Sequence, residues 1–263
     1  MKIIVCMKQV PDTAEVKLDP VTNNLIREGL PSIINPDDKA GIEAALRIRD
    51  MQNGSTVTVV SMGPPQADIA LREALAMGAD DAVLITDRAF GGADTWATSS
   101  TIAAALKKIG YDLIIAGRQA IDGDTAQVGP QIAEHLNIPQ VTYVESVESV
   151  YEDRIVVRRQ FEDRYHMLEV KLPCLITALS ELAVPRYMSV PGVFDAYKKE
   201  VQRFTLTELE GYVNKENIGL LGSPTRVKES FTKQPKGAGE KFEGSSDEAV
   251  RMIVGKLKEK FII

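Results

Sequence analysis

The chain has 263 residues, of which 44% are hydrophobic, and a formal net charge of -6. This composition is typical of a folded protein with a sizeable core, and its acidity makes nucleic acid and anionic membrane surfaces poor main partners. The opening run MKIIVCMKQV is too short for a signal peptide, and no later run is long enough to span a bilayer. These features predict a cytoplasmic protein.

Strand-like and helix-like patterns alternate along the first half of the chain. Short β-branched runs predict strands at residues 2–7, 55–61, 82–86 and 112–116. Helical patterns with capping signals begin at Asn35, Gly63 and Ala93. The alternation predicts an α/β fold with a doubly wound, mostly parallel sheet. Ligands of such sheets bind beyond the carboxyl ends of the strands, here after Met7, Val60 and Ala116.

Two further segments depart from this alternation of strands and helices. Residues 16–29 (VKLDPVTNNLIREG) contain Asp-Pro and Asn-Asn pairs, which are typical of a hairpin decoration. Residues 141–179 alternate polar and apolar side chains over several runs, and we expect an antiparallel extension there.

The C-terminal segment has the pattern of an arm. Residues 233–244 have the composition of an exposed linker. In the following segment, Ser245 and Glu248 have capping-box spacing, and an amphipathic helix is predicted with one apolar stripe formed by Val250, Ile253, Val254, Leu257 and Phe261. This stripe either packs on its own domain or covers a partner subunit.

The cysteines and histidines give little sign of metal or catalytic chemistry. Cys6 and Cys174 lie inside apolar runs, so we expect two buried thiols rather than a disulfide or a metal site. His135 and His166 accompany no hydrolase motif, and both are expected to be structural or exposed.

The segment GRQAIDGDTAQVGP, residues 117–130, is the candidate ligand loop, although it lacks the lysine of a P-loop. A carboxylate about 6 Å from a phosphate costs roughly 3 kcal/mol at an effective dielectric of about 20. Two or three backbone N–H donors, each contributing about 1.5–3 kcal/mol, offset that cost if the aspartates point away. Asp124 is therefore predicted to cap the next helix, while Asp122 caps the turn or accepts from a ribose. A nucleotide site and a merely well-capped turn are equally favoured by these residues.

Several motifs, in order, resemble the β (small) subunit of electron-transfer flavoproteins. They are IIVCMKQVPD, NPDD, SMGPPQADIALREALAMGAD, GRQAIDGDTAQVGP, VRRQFEDRYHMLEVKLPCLIT and VPRYMSVP. The resemblance implies a fold similar to adenine-nucleotide α-hydrolases and a larger, FAD-bearing α subunit as partner. In the common respiratory class, the β subunit holds AMP as a structural nucleotide.

By position, the resemblance implies nucleotide contacts at the ends of the first two predicted strands, at the start of the first predicted helix and in the candidate loop. The implied residues are Cys6, Asn35, Pro36, Asp37, Asp38, Met62, Gly117, Arg118, Gln119, Asp122, Gly123, Asp124, Thr125, Ala126, Gln127 and Val128.

Gly123 and the ADTWAT segment, residues 93–98, resemble the electron-bifurcating branch of the family. That branch implies an FAD in place of AMP, with NADH as hydride donor. One electron would pass to ferredoxin or flavodoxin, and the other through the α-subunit FAD to an acyl-CoA dehydrogenase. The residues expected on the NADH side are Gly63, Pro64, Asp94, Thr95 and Thr98. Helix initiation and capping by Gly63, Pro64 and Asp94 is the stronger alternative.

The resemblance also implies a docking loop for dehydrogenases. Tyr187, Met188 and Val190 lie between Pro185 and Pro191 and would form an apolar knob, although packing on the chain's own domain explains them equally well. We therefore expect a nucleotide-binding α/β domain with its extension at 1–182, a partner-recognition loop and irregular segment at 183–232, and the linker and helix at 233–263.

Overall fold

The computed structural model describes residues 1–12, 31–228, 237 and 239–263. These residues form two compact units, Met1–Val227 and Lys228–Ile263. The hairpin predicted at 16–29 and part of the linker predicted at 233–244 lie outside the described residues.

The first unit alternates strands and helices as the sequence predicts, and the second contains one helix. In chain order the elements are β1 (Lys2–Cys6), β2 (Gln9–Pro11), β3 (Ser32–Ile34), α1 (Pro36–Met51), β4 (Thr56–Met62), α2 (Asp68–Met77), β5 (Asp81–Ile85), α3 (Thr95–Ile109), β6 (Leu113–Gly117), α4 (Val128–Leu136), β7 (Gln140–Val150), β8 (Arg154–Gln160), β9 (Tyr165–Lys171), β10 (Cys174–Ala178), α5 (Val190–Ala196), β11 (Val201–Phe204) and α6 (Ser246–Glu259).

The described residues form a nine-stranded sheet in the order β11-β5-β4-β1-β6-β10-β7-β8-β9. All pairs from β11 to β7 are parallel, and β7, β8 and β9 pair antiparallel. Strands β4 and β5 build outward from one side of β1, whereas β6 pairs with its other side. The order in which strands are added to the sheet therefore reverses direction at β1. The reversal creates a switch point between the carboxyl ends of β1 and β6, where sheets of this kind bind ligands.

Alternate residues of the central strands feed two separate cores. Ile3 and Val5 of β1 pack in one core with residues of α1 and α2. Ile4 of β1 points to the opposite face and packs with residues of α3 and α4. Because both faces of the sheet are covered, these strands are apolar on nearly every position, which is the pattern read in the sequence. The predicted doubly wound fold is confirmed.

Two strands depart from the predictions. The antiparallel extension holds for β7–β9, but β10 was wrongly included, because it runs parallel between β6 and β7. The segment 183–232 was expected to be irregular, yet it contains α5 and β11, and β11 pairs parallel with β5. Only Val201 and Phe204 of β11 are buried, so the four-residue strand offers little periodicity to detect.

The C-terminal helix confirms the predicted capping box, with Ser245 and Glu248 bonded reciprocally. The helix ends at Glu259, so Phe261 of the expected stripe lies beyond it. Val250 and Ile253 of the stripe are exposed, and no residue of α6 is buried among the described residues.

Both cysteines are free and buried, and burial raises the pKa of the Cys6 and Cys174 thiols to about 12. Across the described part of the chain, no helix combines the length and apolar character needed to cross a bilayer. The same residues contain no cluster of potential metal ligands.

The packing of α4 on β10 yields a stability prediction for Gly129. A Cβ there would lie 2.8 Å from Cγ2 of Thr177, and the Thr177 hydroxyl accepts the N–H of Tyr143. We expect Gly129→Ala to lower the free energy of unfolding by about 1–3 kcal/mol through overpacking. Urea titration of the purified protein measures the change. The control is Gly123→Ala, where a Cβ meets no atom within 4 Å; equal stability of the two variants would contradict the prediction.

Candidate functional site

One buried carboxylate joins the two strands at the switch point. Asp38, in the first turn of α1, is 6% exposed. Its carboxylate accepts the backbone N–H of Lys8 at 2.7 Å, just after β1, and that of Gly117 at 2.9 Å, at the end of β6. A side chain at Gly117 would overlap the Asp38 carboxylate. Glycine is therefore required at 117 so that the carboxylate can reach the backbone.

The surroundings of Asp38 hold opposing electrostatic effects. Burial raises the pKa of this carboxyl to about 7, although hydrogen bonds from Lys8, Asn35 and Gly117 oppose the shift. The neighbouring Asp37 raises it further. Asp38 therefore holds the strand ends together at the cost of a pKa well above its ordinary value of about 3.9.

Asn35 fastens the candidate loop to the start of α1. This side chain is 1% exposed, and its amide donates to the carbonyl of Gln119 at 2.9 Å. Its oxygen accepts the N–H of Ile121 at 3.1 Å. The loop after β6 is thereby held in place before it reaches α4.

The carboxylates around the loop all have partners. Lys8 Nζ lies 2.7 Å from Asp122 Oδ1, and Arg118 Nε lies 3.5 Å from Asp37 Oδ2. The Arg118 guanidinium also lies 5.9 Å from the centroid of the Tyr143 ring. These pairings reduce the repulsion that unpaired carboxylates would exert on an anionic ligand.

The prediction that Asp124 caps the following helix is wrong. Helix α4 begins at Val128, and Gln127 occupies the cap position without a side-chain capping bond. Asp124 instead has a left-handed backbone, with φ 54°, and its carboxylate accepts from the Gln119 side chain. Aspartate tolerates the left-handed region better than most residues, which explains its place in this turn.

The end of the loop exposes backbone donors. Both Asp124 and Ala126 have positive φ, whereas Thr125 between them does not. In the described part of the chain, the N–H groups of Thr125, Ala126 and Gln127 donate to no protein acceptor. Such alternation of backbone conformation directs successive N–H groups into an anion-binding concavity, here next to the N-terminus of α4.

Helix α3 is joined to this loop by a ladder of polar contacts. The Thr95 hydroxyl donates to Gln127 Oε1 at 2.8 Å, which leaves the Gln127 amide N–H groups able to donate elsewhere. One turn further, the Ser99 hydroxyl lies 3.2 Å from Gln131 Oε1 and 3.1 Å from His135 Nε2. Burial lowers the pKa of His135 below its ordinary value.

The other residues expected on the NADH side occupy helix starts. Asp94 caps α3 by accepting from Ala97 and also accepts the hydroxyl of Thr225 at 2.7 Å. Gly63 follows β4, and Pro64 precedes a 3-10 turn. The capping alternative is therefore confirmed for Asp94, and Thr98 is half-buried in the first turn of α3.

The remaining sequence-predicted residues divide between this edge and a separate surface. Cys6 ends β1 and is buried, Met62 ends β4 and is half-buried, and Pro36 and Val128 are the first residues of α1 and α4. The expected docking residues lie apart, before and at the start of α5. Tyr187 is 98% exposed, Val190 is 73% exposed and Met188 is also exposed.

Comparison with known proteins places this geometry in a family. The model of the electron transfer flavoprotein domain matches residues 22–209, which is more than half of the chain. The chain belongs to the electron transfer flavoprotein family. It is 62% identical to the electron transfer flavoprotein subunit beta of Clostridium acetobutylicum, with all of both chains covered.

The names of two other relatives of this chain mention a reductase. The chain is 55% identical to subunit CarD of the caffeyl-CoA reductase-Etf complex of Acetobacterium woodii, and 49% identical to the acryloyl-CoA reductase electron transfer subunit gamma of Anaerotignum propionicum. Both comparisons cover all of each chain. The full-length match to the Clostridium acetobutylicum protein shows that this electron transfer flavoprotein subunit is of the beta type.

Sequence reasoning missed residues that hold the candidate site together through partners distant in the chain. Lys8 stands in the opening motif, yet its pairing with Asp122 spans 114 positions. The ladder of Ser99 and Gln131 spans 32. A sequence signal that could have indicated it is the shared four-residue spacing of two hydroxyl residues, Thr95 and Ser99, and of two glutamines, Gln127 and Gln131.

The raised pKa of Asp38 gives a pH-dependent prediction. In the folded protein this group holds its proton more tightly than in the unfolded chain, so its contribution to stability is fully present below pH about 4 and is lost as pH rises through about 7. Asp38→Asn removes this titration but leaves one N–H donor without an acceptor, which destabilises the fold. We expect the stability advantage of the unmodified protein over the variant to shrink between pH 4 and 7.

Urea unfolding of both proteins at several pH values between about 4 and 8 measures this advantage. An advantage that grows with pH would show that the hydrogen bonds from Lys8, Asn35 and Gly117 outweigh burial.

Proposed function

We propose that this beta-type subunit binds FAD in the loop after β6 and works with an FAD-bearing alpha subunit in NADH-dependent electron bifurcation. Bound FAD would supply the redox chemistry, taking a hydride from NADH and passing electrons to ferredoxin or flavodoxin and, through the alpha-subunit FAD, to an acyl-CoA dehydrogenase. The residues of this chain would bind and orient that group.

The donors at the end of the loop support a pyrophosphate-binding role. The N–H groups of Thr125, Ala126 and Gln127 have no protein acceptor among the described residues, and the Gln127 amide is oriented by Thr95. Hydrogen bonds to a charged group contribute about 1.5–3 kcal/mol each, so these donors exceed the contribution of the helix terminus alone. The pairing of Asp122 with Lys8 lowers the opposing charge.

The main observation that supports FAD rather than AMP is the environment of Gly123. Its φ lies outside the left-handed region, and an added Cβ would meet no protein atom within 4 Å. Neither backbone conformation nor packing within the described chain therefore requires glycine there. The open space at this position leaves the backbone accessible to a ligand, and a glycine there permits the close approach that an FAD pyrophosphate would need.

The exposed knob supports docking of an acyl-CoA dehydrogenase. Tyr187, Met188 and Val190 are exposed apolar side chains on a short, restrained segment, and such side chains make effective anchors because little entropy is lost on binding. The names of two relatives associate them with a caffeyl-CoA reductase complex and an acryloyl-CoA reductase. A partner that acts on an acyl-CoA thioester is therefore the class proposed for this chain.

The flavin content of the αβ complex tests the cofactor. We expect two FAD per heterodimer in the unmodified complex. Gly123→Asp would place a carboxylate near the phosphates, and at about 6 Å and an effective dielectric of about 20 this costs roughly 3 kcal/mol, which is roughly a hundredfold in affinity. We expect this variant to retain the alpha-subunit flavin and to lose the second one. Nucleotides released by denaturation are quantified chromatographically.

Gly123→Asn is the matched control, because it has nearly the shape of aspartate without its charge. Loss of flavin in both variants indicates steric exclusion, and loss only with aspartate indicates charge repulsion. One FAD and one AMP in the unmodified complex would overturn the FAD proposal and support the alternative, a non-bifurcating subunit in which AMP is structural.

A further inference from the structure

The exposed knob belongs to a short arch, residues 187–191, that lies between two fixed points. Arg186 precedes Tyr187 and is bonded to α1, whereas Gly192 lies in α5 and packs on α2. Between them, Tyr187 is 98% exposed and Val190 is 73% exposed. An exposed apolar arch that is fixed at both ends has its conformation set before any partner arrives.

The first fixed point is the carboxylate of Glu43 in the middle of α1. Glu43 is 3% exposed and accepts from Arg186 through the backbone N–H at 3.1 Å, Nε at 2.8 Å and Nη2 at 3.3 Å. Arg47 donates to the same carboxylate at 2.8 Å and to the carbonyl of Val184 at 3.2 Å. Asp50 accepts a further bond from Arg186 at 3.0 Å. The segment just before the arch is thereby clamped to α1.

The second fixed point joins α5 to α2. A Cβ at Gly192 would lie 2.6 Å from the carbonyl oxygen of Ala76, so the two backbones are in close contact. Arg72 of α2 donates to the carbonyl of Ala196 at 2.8 Å and lies 5.1 Å from the Tyr197 ring centroid. Ser189 caps α5 by accepting the N–H of Gly192 at 3.0 Å. The C-terminal end of the arch is thereby tied to α5, and through α5 to α2.

A buried ionic clamp is an unusual choice for stability alone. Desolvation of a buried carboxylate opposes much of the gain from its ion pairs, and an apolar side chain of similar volume is often as stabilising. The fork of Arg186 around Glu43 has one geometry, because the guanidinium is planar and its donors are fixed in direction. The clamp therefore fixes position and direction more than it adds stability.

We propose that Glu43 and Arg186 are positioning residues for partner docking, since their clamp fixes the arch that presents Tyr187, Met188 and Val190 to the acyl-CoA dehydrogenase. The inference rests on the docking role proposed above for that arch. Release of the clamp leaves the anchor side chains intact but requires them to be ordered upon binding. Ordering costs about 0.5–1.5 kcal/mol for each immobilised side chain, which corresponds to weaker docking by about two- to tenfold.

The test uses the intact αβ complex with its acyl-CoA dehydrogenase, and it measures kcat and the KM for the dehydrogenase. Glu43→Gln keeps the shape of the side chain but removes its charge, and Arg186→Lys keeps the charge but removes the fork. We expect the KM of each to rise about three- to tenfold with kcat unchanged. Amide exchange of residues 184–189 is expected to accelerate, while nucleotide content stays the same.

Glu73→Gln is the matched control, because it removes one carboxylate from an ion pair between α2 and α1, with Lys39, that does not involve the arch. We expect its KM and amide exchange to match those of the unmodified complex. Tyr187→Ala tests docking directly. If it leaves the KM unchanged, the docking role itself fails.

If Tyr187→Ala raises the KM but Glu43→Gln and Arg186→Lys do not, the arch docks without help from the clamp, and the positioning inference is overturned. A fall in kcat or a loss of nucleotide in the clamp variants would also overturn it, because those changes indicate general loss of structure.

Discussion

The arrangement of the site depends on the hydrogen bonds that Asp38 accepts from the ends of β1 and β6. These two strands carry the reversal of strand order, so the crevice between them is where a doubly wound sheet has room for a ligand. Asp38 fixes the width of that crevice from α1, and the adjacent Asn35 fixes the loop that leaves β6. The first residues of one helix thus determine where the ligand loop begins.

An acidic loop can serve an anionic ligand because its charges are paired with side chains of the same protein. Lys8 neutralises Asp122, Arg118 lies beside Asp37, and Gln119 donates to Asp124. The backbone between residues 125 and 127 is left with unused N–H donors, while α3 holds Gln127 through Thr95. Sequence composition counts formal charges, whereas affinity depends on which of them still face the ligand.

The fold could largely be predicted from the sequence because the sheet is buried on both faces. Such burial requires continuous apolar runs in β1, β4, β5 and β6. The sequence also predicted which loops meet at the carboxyl edge. It could not predict that β10 inserts beside β6, since strand order depends on pairing rather than on local pattern. Four-residue β11 escaped detection because only its two end residues are buried.

The cap assigned to Asp124 failed for a related reason. An aspartate followed by a helical pattern has the same local sequence whether it caps the helix or takes a left-handed turn three residues earlier. The choice is made by contacts from Gln119 and Asn35, and these partners are five and 86 positions from the groups they bond. Most of the predicted site residues lie at the carboxyl edge of the sheet, although several of them organise the loop rather than face its opening.

Gly117 and Asp38 occupy what is effectively a single shared volume, because the carboxylate fills the space that a side chain at 117 would need. Variation at the two positions is therefore interdependent: a larger residue at 117 is compatible only with a shorter residue at 38, and the lost hydrogen bonds must then be replaced from elsewhere. Libraries that seek new cofactor preference can randomise residues 123–126, which are half-buried or exposed. The pair at 38 and 117 would have to remain constant in such libraries, because it positions the loop that the randomised residues belong to.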